Sequence, residues 1–160
     1  MKDRKVIAFE RVLSRRQQQD RKLNSALTGL VGESTMLADA LAVRRDAADL
    51  QAAELAGHDG KIDAMLRGVR FRADDLLKLR DFRAHAAERH AALEAQADHA
   101  QAALDENAAR IVDARAQILR NRARIDIYVI RRDRLVRNLE LAIEDAEDDE
   151  ISEMPRRMRV

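Results

Sequence analysis

Four histidines are the first candidates for chemistry, because imidazole is a common metal ligand and general base. His85, His90 and His99 fall within one predicted helix, at separations of five and nine residues. A helical zinc site needs two histidines four residues apart, on one face. These spacings do not provide that arrangement, and His58 has no cysteine or second histidine near it. We therefore expect no metal site.

Enzymatic chemistry is also not indicated. The chain has no glycine-rich phosphate loop, no Gly-x-Ser-x-Gly sequence and no cysteine. Carboxylates are abundant, but catalytic carboxylates need a concave site that removes water and shifts their pKa values. A protein made of two long helices offers no such pocket. The sequence therefore predicts a protein that is not an enzyme, has no catalytic residues and uses no cofactor.

Two basic stretches could bind phosphate or acidic protein surfaces. The first comprises Lys2, Arg4, Lys5, Arg11, Arg15, Arg16, Arg21 and Lys22; the second comprises Arg110, Arg115, Arg120, Arg122, Arg124, Arg131, Arg132, Arg134 and Arg137. Asp113, Asp126 and Asp133 interrupt the second, and aromatic platforms for base stacking are missing. The sequence thus favours docking on an acidic protein over nucleic-acid binding, which remains the less favoured alternative.

The second basic stretch belongs to a long uninterrupted helix. From Asp74 to Ala146 there is no proline or glycine, and apolar residues recur in alternating steps of three and four, as in a coiled coil. The seam includes Leu93, Ala97, Ala100, Leu104, Ile111, Ala114, Ile118, Ile125, Tyr128, Leu135, Leu139 and Ala142. Such a helix would be on the order of 100 Å long, and it needs a partner along its seam.

The partner is a second seam in the first third of the chain. It includes Val6, Phe9, Leu13, Arg16, Asp20, Leu23, Leu27, Leu30, Ser34, Leu37, Leu41, Arg44, Ala48, Gln51 and Leu55. Gly29 and Gly32 lie off this seam, so a helix can continue through them. A loop from Thr28 to Ser34, which would give three helices, is the alternative.

The two seams predict an all-α fold, a long antiparallel two-helix coiled-coil hairpin over residues 1–160. The glycines of Gly57-His58-Asp59-Gly60 predict the end of the first helix. We therefore place helix 1 at about 3–56, a corner at about 57–72, helix 2 at about 73–147 and a frayed acidic tail at 148–160. The hairpin brings the two basic stretches to the same end.

The predicted helices differ in length, so helix 2 should extend past the start of helix 1. The extension would run from about Tyr128 to Ala146 and leave an apolar stripe without an intramolecular partner, comprising Ile130, Leu135, Val136, Leu139 and Ile143. Exposed stripes of this kind usually mark binding surfaces. A shift in register or a dimer could instead cover it.

The remaining composition indicates a soluble, intracellular protein. Charged residues make up 37% of the chain and aromatic residues 2%, which is typical of a coiled coil. Cysteine is absent, which suits a reducing cytosol. The N-terminus has no apolar core of a signal sequence, and the uncharged run 23–32 is too short to cross a bilayer.

The layout resembles the FliJ/YscO-type proteins of bacterial flagellar and type III secretion systems, and among them the Hrp-type branch. The resemblance lies in the charged hairpin, in the sequence 73–82 after the corner (Ala-Asp-Asp-Leu-Leu-Lys-Leu-Arg-Asp-Phe), and in an arginine-rich segment that becomes acidic between Arg131 and Glu150.

This resemblance implies a cytoplasmic stalk, associated with the inner-membrane secretion apparatus and virulence, that enters a hexameric export ATPase and links it to a membrane export gate. Some members also bind secretion chaperones. The ATPase-facing residues would be Lys5, Arg11, Arg15, Arg124, Arg131, Arg132, Arg134, Leu135 and Leu139. The gate-facing residues would be Phe71, Leu76, Leu79 and Phe82. No direct membrane insertion and no nucleic acid are expected. A generic coiled-coil adaptor or escort protein is the alternative function.

Overall fold

The computed structural model describes residues 3–153, and these residues form an all-α helical hairpin. Helix α1 spans Arg4–Arg67 and helix α2 spans Ala73–Glu153, and the two pack against each other. No strand occurs within 3–153. The prediction of an all-α helical hairpin is confirmed, and the alternative of a loop between Thr28 and Ser34 is wrong because α1 is continuous there.

Local hydrogen bonds define where each helix begins. Asp3 caps α1, since its Oδ1 accepts a 2.6 Å bond from the Lys5 amide and its carbonyl accepts one from Ile7. At the start of α2, the Arg72 carbonyl accepts bonds from the amides of Asp75 and Leu76, both at 3.2 Å. Acidic residues in the first turn of α2 also interact favourably with the positive end of the helix dipole.

The predicted corner at 57–72 is too long. Helix α1 continues through Gly57 and Gly60 to Arg67, and the connector is only residues 68–72. The physical reason is that the seam continues past Leu55, since His58, Ile62 and Met65 keep the three-four spacing and are all partly buried. Seam burial outweighs the helix propensity lost at two glycines, about 1 kcal/mol each.

The predicted fraying of the acidic tail from 148 is also wrong for the residues that the structure describes. Helix α2 remains helical to Glu153. The rest of the predicted tail, 154–160, lies outside the described residues.

The contacts of the hairpin divide into two compact units. The first unit joins α1 up to Leu27 with α2 from Asp113, and the second unit is Thr28–Val112. In the first unit the buried apolar residues are Val6, Leu13 and Ile118; in the second they are Leu41, Ala48, Ala86, Ala97 and Ala100. All of these except Ala86 are seam positions predicted from the sequence. Ala86 lies on the same seam, 25 residues before Ile111. The core of each unit is therefore a narrow strip of seam residues.

One part of α1 meets the length and composition expected of a membrane span. An 18-residue stretch of this helix has a mean hydropathy of 1.3 with no more than two charged residues. The uncharged run 23–32 is shorter than this stretch. Core helices of soluble proteins and signal sequences reach the same values.

Candidate protein-interaction surfaces

The first unit forms a surface from the beginning of α1 and the arginine-rich part of α2, which we call the terminal surface. The ring of Phe9 lies 6.2 Å from that of Tyr128, at a tilt of 58°. Both are seam residues, so their contact fixes which turns of the two helices are adjacent. Lys5, Ala8 and Val12 complete an apolar groove of about 240 Å³ beside the two rings.

A second groove in the terminal surface is lined by cations. Its volume is about 190 Å³, and three guanidinium groups line it, from Arg16, Arg120 and Arg124. The other lining residues are three polar ones, Gln19, Gln117 and Asn121, and the apolar Leu23. Arginines that line one groove are suited to carboxylates of a partner protein, which guanidinium groups bind through paired hydrogen bonds.

Within the first unit, two arginines of the second basic stretch are instead engaged in ion pairs. Arg122 pairs with Asp20 across the helices, with Nε 3.2 Å from the carboxylate Oδ1. This pairing explains how α1 accepts an aspartate at a seam position, because the Asp20 side chain is only 21% exposed. Arg132 pairs with the neighbouring Asp133 at 2.6 Å. These two guanidinium groups are less available to a partner.

The predicted ATPase-facing residues all lie in the first unit, but they differ in exposure. Six are exposed: Lys5, Arg11, Arg15, Arg124, Arg131 and Arg134. Three are partly buried: Arg132, Leu135 and Leu139. Apart from Arg110, which lies in the second unit, the described residues of the two basic stretches come together in one unit, and most of these cations are exposed.

The predicted extension of α2 begins later than the sequence suggested. Tyr128 is not beyond the start of α1, because it contacts Phe9. Helix α1 begins five residues before Phe9, whereas α2 continues 25 residues past Tyr128 to Glu153. Three large apolar side chains in this part of α2 are exposed by more than half: Ile130 by 57%, Leu141 by 57% and Ile143 by 59%.

The second unit contains the connector surface, which consists of residues 68–72 and the adjoining helix ends. An open groove of about 640 Å³ lies here, lined by Lys61, Ala64, Met65, Gly68, Arg70, Phe71, Arg72, Asp75 and Leu79. Phe71 and Leu79, two of the predicted gate-facing residues, therefore share one groove. Leu76 is a partly buried seam residue, and Phe82 is 59% exposed and stacks on His58 at 6.4 Å.

Ion pairs join the two helices next to the connector. Arg83 pairs with Asp59, and the pKa of Arg83 is raised by its hydrogen bond to Asp59 and then by the charge of that carboxylate. Arg89 lies 3.3 Å from Glu54, which is also 3.8 Å from His58. Asp59 lies in the stretch that the sequence assigned to a turn, so these pairs also support the helical continuation.

The histidines on α2 make local interactions. His85 Nδ1 lies 2.7 Å from the carbonyl of Asp81, and His90 lies 3.6 Å from Glu94. His99 lines a shallow groove with Arg44, Ala95 and Gln96. Among the described residues, no group of three histidine or carboxylate side chains is placed to hold a metal ion.

Two buried asparagines were missed from the sequence. Asn107 is 1% exposed and Asn121 is 5% exposed, and both occupy seam positions on α2, two heptads apart. The signal was present, because both positions continue the three-four alternation between Leu104 and Ile125. A single buried asparagine in a coiled coil selects register and oligomeric state.

The comparison with protein families identifies the group to which this hairpin belongs. The family model described as bacterial type III secretion protein (HrpB7) matches residues 4–155, which is nearly the whole chain. No significant match was found among curated proteins or among solved structures. The resemblance to the Hrp-type branch of type III secretion proteins is thereby confirmed: the chain belongs to the HrpB7 family of bacterial type III secretion proteins.

Proposed function

We propose that this type III secretion protein is a non-enzymatic cytoplasmic stalk that docks on a hexameric export ATPase and couples it to the membrane export gate. The observation that carries the proposal is the terminal surface. In it, Lys5 lines an apolar groove at Phe9 and Tyr128, and exposed arginines of both basic stretches lie in the same unit. Cations around an apolar centre favour docking on an acidic protein surface with a defined orientation.

The terminal surface has two parts with different roles in this proposal. The three-arginine groove and the exposed Arg131 and Arg134 provide electrostatic attraction to the ATPase. The exposed Ile130, Leu141 and Ile143 of α2 provide apolar contacts at the same end. Long-range charge attraction raises the association rate, whereas buried apolar contacts lower the dissociation rate.

The gate-facing role belongs to the connector surface. Phe71 and Phe82 are exposed by 46% and 59%, so they are available to a partner. Leu79 lines the connector groove, and Leu76 is a partly buried seam residue beside it in the sequence. In this proposal the ATPase and the gate bind different units of the hairpin, so one molecule can engage both.

The experiment is ATP hydrolysis by the cognate export ATPase with and without this protein. We expect hydrolysis or hexamer formation to change on addition of the wild type, and the triple variant Arg131→Glu, Arg132→Glu and Arg134→Glu to weaken the effect. The matched control is Arg44→Glu, Arg45→Glu and Arg110→Glu, which alters charge equally in the second unit. Equal loss in both triples, or no effect of the wild type, would contradict the proposal.

A second candidate function, an adaptor or escort that holds a helical partner such as a secretion chaperone, is favoured by an apolar stripe on α1. Met36, Val43 and Leu50 are 73%, 68% and 76% exposed and lie seven residues apart. Ala40 and Ala47 lie between them, which gives a second three-four alternation outside the core. Binding of a chaperone that is abolished by Val43→Glu, with ATP hydrolysis unaffected, would support this function.

A further inference from the structure

We propose that the connector surface docks on anionic lipid, with Val69 and Phe71 at the interface and arginines against the phosphates. The proposal concerns shallow contact by residues 68–72 and the helix ends. It is compatible with the expectation of no direct membrane insertion, because a shallow contact does not cross the bilayer. It does not depend on whether the terminal surface binds an ATPase.

The first observation is the exposure of apolar side chains around the connector. Val69 is fully exposed, at 100%. Leu66 on the last turn of α1 is 47% exposed, and Phe71 is 46% exposed. Leu77, in the first turns of α2, is 58% exposed. Four large apolar side chains of this exposure within twelve residues are unusual for a surface that faces only water.

The second observation is the charge between these apolar residues. Arg67, Arg70 and Arg72 alternate with Leu66, Val69 and Phe71 along the chain. No acidic residue lies between Asp63 and Asp74. Apolar side chains combined with a cluster of cations are the two signals that together give reversible binding to anionic membranes.

The third observation is the groove behind the connector. Its apolar lining comes from Met65, Phe71 and Leu79, and its cations come from Lys61, Arg70 and Arg72. Asp75 also lines it, so three cationic side chains share the groove with one carboxylate residue. An open groove lined by both cations and apolar side chains can accept a phosphate headgroup together with the first part of an acyl chain.

Lipid fits the fully exposed Val69 better than a protein partner does, and this contact leaves Phe82 for the export gate. A valine at full exposure on a five-residue connector projects outward, whereas protein hot spots occupy well-packed, desolvated pockets. A bilayer surface adapts to a projecting side chain and needs no complementary shape.

The experiment uses the full chain with a single tryptophan as reporter. The protein has no tryptophan, so Val69→Trp introduces one without background. We expect a blue shift of its emission with vesicles of phosphatidylcholine and phosphatidylglycerol, and none with phosphatidylcholine alone. The matched control is Val112→Trp, which replaces a valine on α2 that is 64% exposed. Its emission should not shift with either vesicle.

Charge removal gives the second measurement. With Arg70→Gln and Arg72→Gln in the Val69→Trp background, the partition coefficient onto anionic vesicles should fall about 30-fold at low salt. These positions lie in the connector, so circular dichroism should show unchanged helix content. No shift at Val69→Trp, equal shifts at both reporters, or unchanged partition of the arginine variant would overturn the proposal. A protein that does not bind vesicles but forms a complex with the gate protein that requires Val69 would also overturn the proposal.

Discussion

The side-chain amide of Asn121 on α2 donates a 3.1 Å hydrogen bond to the main-chain carbonyl of Arg16 on α1. This contact crosses the interface of the first unit at a position where a coiled coil normally places an aliphatic residue. Asn107, two heptads earlier on the same seam, has both polar side-chain atoms buried, and neither has a hydrogen-bond partner among the protein atoms of the described residues. The two asparagines therefore affect stability differently.

Replacing Asn107 by leucine should stabilise the protein. The substitution removes two buried polar atoms that have no partner and adds an apolar side chain to the seam, a change of about 1–3 kcal/mol in the free energy of unfolding. Asn121→Leu should give a smaller gain, because it also removes the bond to Arg16. Thermal unfolding should show a rise of about 2–4 °C for each kcal/mol gained. A lower midpoint for Asn107→Leu than for the wild type would contradict this prediction.

Replacing Gly57 or Gly60 by alanine should also stabilise the protein. Both glycines are helical, and a Cβ atom at either position would meet nothing within 4 Å. Alanine should therefore add about 1 kcal/mol at each position. At Gly68 a Cβ would lie 3.3 Å from the Met65 carbonyl, so Gly68→Ala should give no gain. Urea unfolding of the three variants measures the difference.

The glycine variants also distinguish the observed helix from the corner predicted from the sequence. If Gly57 or Gly60 needed a left-handed backbone, alanine would destabilise the protein at that position. The described residues contain no glycine with a positive φ angle. Destabilisation by Gly57→Ala or Gly60→Ala would therefore favour a turn at Gly57–Gly60 and contradict a helix that ends at Arg67.

The sequence was sufficient for the fold because the three-four alternation is a strong and repeated signal. It predicts Leu13, Leu41 and Ile118 as core residues, and all three are buried. It predicts the end of α1 too early because Gly57 and Gly60, on either side of His58 and Asp59, are typical of a turn. The seam residues Ile62 and Met65, which continue the alternation, carry more free energy than one glycine costs.

The surfaces were less predictable, because exposure depends on which turns of the two helices are adjacent. The contact of Phe9 with Tyr128 sets this register in the first unit, and neither residue type specifies the other from the sequence. Arg131 and Arg132 look equivalent in the sequence, yet Arg131 is exposed and Arg132 is held by Asp133. Such differences follow from side-chain geometry rather than from composition.

Truncation of Phe9 should loosen the start of α1. Phe9→Ala removes a partly buried ring and its contact with Tyr128, so we expect a loss of about 1–3 kcal/mol. Hydrogen exchange should rise in the first turns of α1 and around Tyr128. Val112→Ala, at a side chain that is 64% exposed, is the control and should change stability by less than about 0.5 kcal/mol. Equal exchange rates in the two variants would show that the aromatic contact does not hold this end.

The pairing of Asp20 with Arg122 should contribute more than the pairing of Glu33 with Arg110. The Asp20 side chain is 21% exposed, whereas that of Glu33 is 47% exposed, so water screens the first pair less. Double-mutant cycles with alanine should give a coupling of at least about 1 kcal/mol for Asp20 and Arg122, and less than that for Glu33 and Arg110. Arg122→Ala should destabilise the protein more than Asp20→Ala does, because it leaves a partly buried carboxylate without its cation. Equal couplings at the two sites would mean that Asp20 is as well solvated as a surface carboxylate, and its seam position would then need another explanation.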